Sequence, residues 1–353
     1  MMYISGIQQI GIGTAHLYES WKWYADIFGM NIRILEDDTV AERMLRYTGN
    51  KPQKRHAAIT VNMQGGAGFE IWQYSERKPQ SINFDIALAD LGIYCGKVKS
   101  KNVKLFHEEV QKKYAQISPL FVAPDDTPTF YILDPFGNYF QAVEDSYLFS
   151  DIKQNNGGCV GAQIGVSNIE KALSLYRDVL GYDMMVYDKT GIFEDFAFMN
   201  GGNQKYRRML LKHSEKRTGA FSEMFGPSQI ELVTALERTP KKIYEGRFWG
   251  DPGFIQLCFD ITNMKTFKEL CEAKGFPFTV DSCPGGETFD MGDAAGHFTY
   301  VEDPDGTLIE FVETHKIPVL KKLNLYINLK KRDQSKPLPK IMLKALKFNK
   351  VKF

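Results

Sequence analysis

Two stretches of this chain are written twice. QIGIGTAHLYESWKWYADIFGM, from Gln9, aligns with QIGVSNIEKALSLYRDVLGY, from Gln163, and both end in Tyr-x-Asp-x-x-Gly, at Tyr24 and Tyr176. DPFGNYFQAVE, residues 134–144, aligns with DPDGTLIEFVE, residues 303–313. A copied unit must bury the same face each time, so a repeat limits the fold more than local propensity does. It divides the chain into halves of roughly 6–148 and 159–314, joined by the polar DIKQNNGG.

Each half repeats again. FIQLCFDITNMKTFKELCEAKGF, from Phe254, reads as strand, loop, amphipathic helix and Gly stop, and ADLGIYCGKVKSKNVKLFHEEVQKKYAQ, from Ala89, does the same with a more polar helix. A unit of strand, helix and three short strands therefore occurs four times. The expected class is α+β, with four βαβββ modules paired into two curved mixed sheets.

This order of elements, with the strand starts QIGIG and QIGV and the closing DPDGTLIEFVE, resembles the vicinal oxygen chelate superfamily. That superfamily includes glyoxalase I, bleomycin-resistance proteins, extradiol dioxygenases and fosfomycin-resistance enzymes. The resemblance covers about residues 6–314. It implies a concave face that holds a divalent metal, with one ligand from the first strand and one from the last strand of each module. The expected organisation is a first glyoxalase-like domain with a degenerate site (1–148), a linker (149–158), a second glyoxalase-like domain with the better site (159–314) and a basic tail (315–353).

Strand alternation shows which side chains leave the packed face. In AQIGV, SQIELVT, FIQLCFD and TLIEFVE the apolar residues alternate with Gln163, Glu231, Gln256 and Glu310, and Cys258 shares the inward face of Gln256. The resemblance makes these four the metal ligands of the second half, with Gln where His is commonest on the first strands. Amide and carboxylate oxygens suit Mg²⁺ or Mn²⁺, and Zn²⁺ or Ni²⁺ is compatible with them. The first half offers Gln9, Glu70, Asp90 and Gln141, the last having lost its carboxylate. Two pairings stay open, because modules can also pair across the halves and bring Gln9 and Glu70 to Gln256 and Glu310.

The reaction implied is that of a divalent-metal-dependent lyase or isomerase of glyoxalase type, acting on a small oxygen-rich substrate chelated at the metal. Glu231 and Glu310 are the expected ligands and proton carriers, and His297, on the strand before DPDG, is a candidate acid or substrate contact. The rival readings are a non-catalytic small-molecule-binding module and a ring-cleaving dioxygenase-like enzyme. The second suffers because no His stands at a ligand position, and His16, His56, His107, His213 and His315 read as surface. CPGGET and FDMGDAAGH carry enough Gly for a cover over the concave face.

Charge is unevenly spread. Residues 315–353 hold twelve Lys or Arg and one Asp within a chain whose net charge is +1. The apolar Ile341, Met342, Leu343, Leu346 and Phe348 in KIMLKALKF predict an amphipathic helix laid on an acidic body, which weakens the case for nucleic acid as partner. With no long apolar run, no signal-like start and five cysteines lacking a CxxC pair, the chain reads as cytoplasmic, without a membrane segment or disulfide framework. Oligomeric state is not legible, since four modules complete two sheets.

Overall fold

The computed structural model describes residues 1–290, 295–320 and 325–353. The first module is β1 (Tyr3–Gly13), α1 (Leu17–Phe28), β2 (Ile32–Ala41), β3 (Gln53–Val61) and β4 (Gly68–Tyr74). The second is β5 (Gly92–Ser100), α2 (Val103–Gln111), β6 (Phe121–Val122), β7 (Pro128–Leu133) and β8 (Tyr139–Glu144). The third is β9 (Asn156–Gly165), α3 (Ile169–Tyr176), β10 (Met184–Gly191), β11 (Tyr206–Lys212), α4 (Ser222–Phe225) and β12 (Gln229–Ala235). The fourth is β13 (Gly253–Thr262), α5 (Met264–Ala273), β14 (Val280–Asp281), β15 (Phe289–Asp290), β16 (Ala295–Glu302) and β17 (Leu308–Leu320); β18 (Leu325–Asn328) and α6 (Lys340–Lys344) follow.

Two curved mixed sheets result. The first runs β14-β16-β17-β13-β1-β4-β3-β2, with β15 on β16 and β18 on β17; the second runs β10-β11-β12-β9-β5-β8-β7-β6. The seam of the first is the antiparallel pair β1/β13, and that of the second is β5/β9. Module one thus joins module four, and module two joins module three. The sheets do not coincide with the two halves read from the sequence.

The repeated motifs explain how each half still holds together. Tyr24 donates its hydroxyl to Asp134 Oδ2 at 2.7 Å, and Tyr176 donates to Asp303 Oδ2 at 2.9 Å. Each aspartate also accepts the backbone N–H groups of its own turn, those of Phe136 and Asn138 or of Asp305 and Thr307. The Tyr of one module is thereby tied to the DPxG turn of the next. Gly29 caps α1 in the left-handed region at φ 64°, and Gly181, beyond the turn that follows α3, takes φ 71°; a side chain is disfavoured at both. Between the sheets lies one apolar core, in which Ile10, Phe69, Ile164 and Ile309 from the strands meet Trp21, Tyr24, Leu175 and Phe267 from the helices.

The tail departs from the expected amphipathic helix. Only five residues, Lys340–Lys344, are α-helical, with a 3₁₀ turn beyond. Leu338 and Leu343 are buried and Met342 and Leu346 pack on the core, whereas Ile341 and Phe348 are exposed. Lys340 pairs with Glu223 at 3.1 Å. Among the described residues, no helix is long and apolar enough to cross a membrane.

Candidate functional site

The cross-half pairing decides which inward residues meet. Gln9 on β1, Glu70 on β4, Gln256 on β13 and Glu310 on β17 lie on neighbouring strands of the first sheet. Gln9 Nε2 donates to Glu70 Oε2 at 3.2 Å, and Gln256 Nε2 donates to Glu70 Oε2 at 2.8 Å and Glu310 Oε2 at 3.4 Å. Gly11 faces Gln256 in the register, and a Cβ there would fall 2.5 Å from the amide carbon. The glycine is what lets the amide lie across the strand.

Two carboxylates thus share one amide. Among the described residues no Lys or Arg forms an ion pair with either, and Arg55, whose charge is felt at Glu70, is paired with Asp37. Burial first, and the charge of Glu310 second, push the Glu70 carboxyl up to about 8. Burial also raises Glu310, against the hydrogen bonds of Cys258, Tyr300 and Gln256. Both shifts favour the protonated form, as expected for two carboxyls buried side by side. Trp72, Trp249, Tyr300 and Met44 pack one end of the face. Glu70, Ile59, Arg55 and Phe298 are partly exposed.

The second sheet answers the same problem with its own cations. Glu231 on β12 accepts from Lys97 Nζ at 2.7 Å, Arg208 Nε at 2.7 Å, the Tyr187 hydroxyl at 2.7 Å and Gln163 Nε2 at 3.1 Å. Arg208 Nη1 also holds Asp195 at 2.8 Å. Burial alone would raise Glu231, but Arg208 and Lys97 hold it down at about 2. Glu231, Gln163 and Arg208 are fully buried. This is a closed ion cluster with two positive and two negative members.

The four ligands read from the second half therefore do not converge. Gln256 and Glu310 join Gln9 and Glu70, while Gln163 and Glu231 sit in the other sheet beside Gln141, whose oxygen accepts from Gln163 Nε2 at 2.9 Å. The reason is topological, since β9 pairs with β5 and β12 and never reaches β13. A proton-carrying role for Glu231 is incompatible with its cation-locked oxygens, and the corresponding, partly exposed carboxyl of the first sheet is Glu70. Asp90 accepts from the backbone N–H groups of Ala87 and Lys241 and from Arg238, as a loop anchor. His297 faces away from Glu310: it pairs with Asp281 at 2.6 Å, while Tyr300, opposite Glu310, has the other parity on β16. His107 and His315, read as surface, are buried and hydrogen-bonded to Ser118 O and to Thr288 with Glu313. Of the Gly-rich cover, residues 291–294 lie outside the described residues.

Sequence reading missed Lys97, Arg208, Tyr187 and Trp249. Lys97 had a signal, because it alternates with Cys95 on the inward face of GIYCGKVKS. Trp249 had none, lying in a loop before β13.

Can the first-sheet group hold a divalent cation? Two buried carboxylates have no ion-paired Lys or Arg among the described residues, which fits one; Gln9 Oε1 is buried without a partner, as is its counterpart Gln163 Oε1 in the second sheet. Among the described residues no three His, Cys, Asp or Glu side chains are gathered as ready ligands, because the Gln256 amide stands between the carboxylates.

Residues 160–311 match the sequence profile of the Glyoxalase/Bleomycin resistance protein/Dioxygenase superfamily. No curated protein sequence matches the chain. Among solved structures, a glyoxalase I variant from Zea mays superposes with TM-score 0.54 at 13% identity, covering 88% of this chain and 94% of that one. A Bacillus subtilis protein assigned as a dioxygenase superposes with TM-score 0.54 at 13% identity, covering 99% and 98%. At such identity the likeness speaks to the fold alone.

Proposed function

This chain carries a domain of the Glyoxalase/Bleomycin resistance protein/Dioxygenase superfamily, and we propose that it is a divalent-metal-dependent lyase or isomerase of glyoxalase type working on a small oxygen-rich substrate. The site is the first-sheet group. The observation that carries this reading is the pair Glu70 and Glu310, buried together with no Lys or Arg ion-paired to either among the described residues. Burying two carboxylates without compensation is costly, and the sister sheet shows the alternative solution in Lys97 and Arg208.

Glu70, Glu310 and Gln9 Oε1 would hold the metal, with Gln256 beside them. When bound, the metal supplies a Lewis acid that polarises adjacent substrate oxygens. The chain's own residues do the rest. Glu70 is at the partly exposed side and its carboxyl titrates at about 8, so it holds a proton near neutrality and can exchange it with a bound molecule. Glu310 is held in place beside it by the hydrogen bonds of Cys258, Tyr300 and Gln256. Trp72, Trp249 and Tyr300 pack one end of the face.

Metal content by mass spectrometry tests the reading, on wild type, Glu70→Gln, Glu310→Gln and Glu231→Gln. We expect near-stoichiometric metal in wild type and Glu231→Gln, and loss in the other two. A metal-free wild type that gains no thermal stability from Mg²⁺, Mn²⁺, Zn²⁺ or Ni²⁺ would overturn it. The amide standing between the carboxylates favours, as second reading, a non-catalytic binder in which Glu70 and Glu310 share a proton and grip a ligand hydroxyl.

A further inference from the structure

We propose that Arg55 selects the substrate of the first-sheet site by binding its carboxylate, so that the preferred molecule is a short acid with its reactive oxygens at the other end. The proposal rests on the reading above for where the substrate lies. On β3, Arg55, Ala57 and Ile59 share the inward face, since in an unbroken ladder Ile59 stands opposite Glu70, Ala57 opposite Trp72 and Arg55 opposite Tyr74. Arg55, Ile59 and Glu70 are each partly exposed.

The sister sheet shows what this face can reach. There Leu210 stands opposite Glu231 as Ile59 stands opposite Glu70, and Arg208, two residues before Leu210, donates from Nε to Glu231 at 2.7 Å. The position equivalent to Arg208 in the first sheet is Ala57, too short to reach a carboxylate. The guanidinium comes instead from Arg55, one inward position farther from the glutamate, about 7 Å along the strand. It pairs with Asp37, although its charge is still felt at Glu70. Where the second sheet closes its acid with an arginine, the first holds the two groups apart on one face.

Arg55 also has donors to spare. An arginine carries five N–H groups. Nη1 donates to Asp37 O at 3.4 Å and to Asp37 Oδ1; among the described residues Nε and Nη2 donate to no protein acceptor, and the side chain is 18% exposed. In Arg208, by contrast, Nε is committed to Glu231 and Nη1 to Asp195. Nε and Nη2 form the edge of the guanidinium that meets both oxygens of one carboxylate, and Asp37 holds the plane from the other side. The separation from Glu70 calls for a short carbon chain between carboxylate and reacting oxygens, and Ile59 offers that chain an apolar surface.

Ligand-observed NMR titration of the full-length protein with 4-oxopentanoate and with 4-oxopentanamide provides the test, because the two differ in charge at one end only. In wild type the acid should bind at least about tenfold tighter than the amide. Arg55→Gln should abolish that preference and leave amide affinity unchanged, an outcome that loss of structure would not give. Asp37→Asn, which keeps an oxygen for Nη1 and removes the competing anion, should raise acid affinity. Equal binding of acid and amide by wild type, binding of neither, or a preference that survives in Arg55→Gln overturns the proposal. Metal content is measured on the same samples, and the titrations are repeated in chelator. A metal-free wild type that keeps the acid preference counts against the metal alone, and a metal-bearing wild type without the preference overturns this proposal alone.

Discussion

Glu70 makes stability of the metal-free protein depend on pH in an unusual direction. Its folded carboxyl titrates at about 8, against an ordinary 4.5. Between those values the folded state keeps a proton that the unfolded chain has released, so stability is full below the unfolded value and falls as pH rises through the folded one. For one proton the loss between about pH 5.5 and pH 7.5 is roughly 2–3 kcal/mol, within a ceiling on the order of 4–5 kcal/mol. The group is faced by Glu310, Arg55, Asp37, Tyr300 and Cys258, all of which remain in the variant Glu70→Gln. Asp260, pushed up to about 8 mainly by burial, adds a slope of the same sign in both proteins. Urea unfolding across this range, in chelator, is the assay. Glu70→Gln should be more stable than wild type at about pH 7.5 by roughly 2–3 kcal/mol, and its slope smaller by about one proton. Saturating metal should reverse the order, because the cation binds the charged carboxylate that Gln lacks. Equal slopes for wild type and Glu70→Gln would refute the reasoning.

Two further perturbations separate the sheets. Lys97→Ala leaves Glu231 and Asp195 with Arg208 alone, so chemical denaturation should report a loss of about 3–5 kcal/mol with metal content unchanged. Gly11→Ala places a methyl where the Gln256 amide lies, at 2.5–2.6 Å, and should lower metal retention while circular dichroism stays that of wild type.

Much of this architecture was legible because the repeat is written in residues that touch. Tyr24 and Asp134 were noticed as separate motifs, and the structure joins them by a hydrogen bond. Strand alternation likewise sent Gln9, Glu70, Gln256 and Glu310 to one face each. What alternation cannot state is which strand lies beside which. The pairing of β1 with β13 is a long-range event, decided by the packing of both sheets on a common core, and no local pattern encodes it. The same gap hid the ion cluster: Lys97, Arg208 and Glu231 come from three separate stretches, and only the β5/β9/β12/β11 order brings them together. Trp249, which fixes the Gln256 amide, belongs to a loop with no periodic signal.

The two sheets are built from the same repeated unit and differ by a small set of exchanges whose electrostatic effects agree. Where the first has Glu310, the second has Gln141; where the first has Cys258, the second has Lys97. Losing one carboxylate and gaining one ammonium changes the local balance by two positive charges, the charge of a divalent cation. Arg208 is then matched by Asp195, and the cluster is neutral without help. Its glutamate is sealed, with Glu231 wholly buried, whereas Glu70 retains partial exposure. The second-sheet cluster is neutral, whereas the first face has two carboxylates with no ion-paired Lys or Arg among the described residues; an amide oxygen is buried without a partner in both, Gln163 Oε1 and Gln9 Oε1. This asymmetry in charge is the ground on which we propose the site in the sheet that joins the first module to the fourth. Part of the proposed site, Gln9 and Glu70, lies outside residues 160–311, so an isolated second half would lack two of its groups.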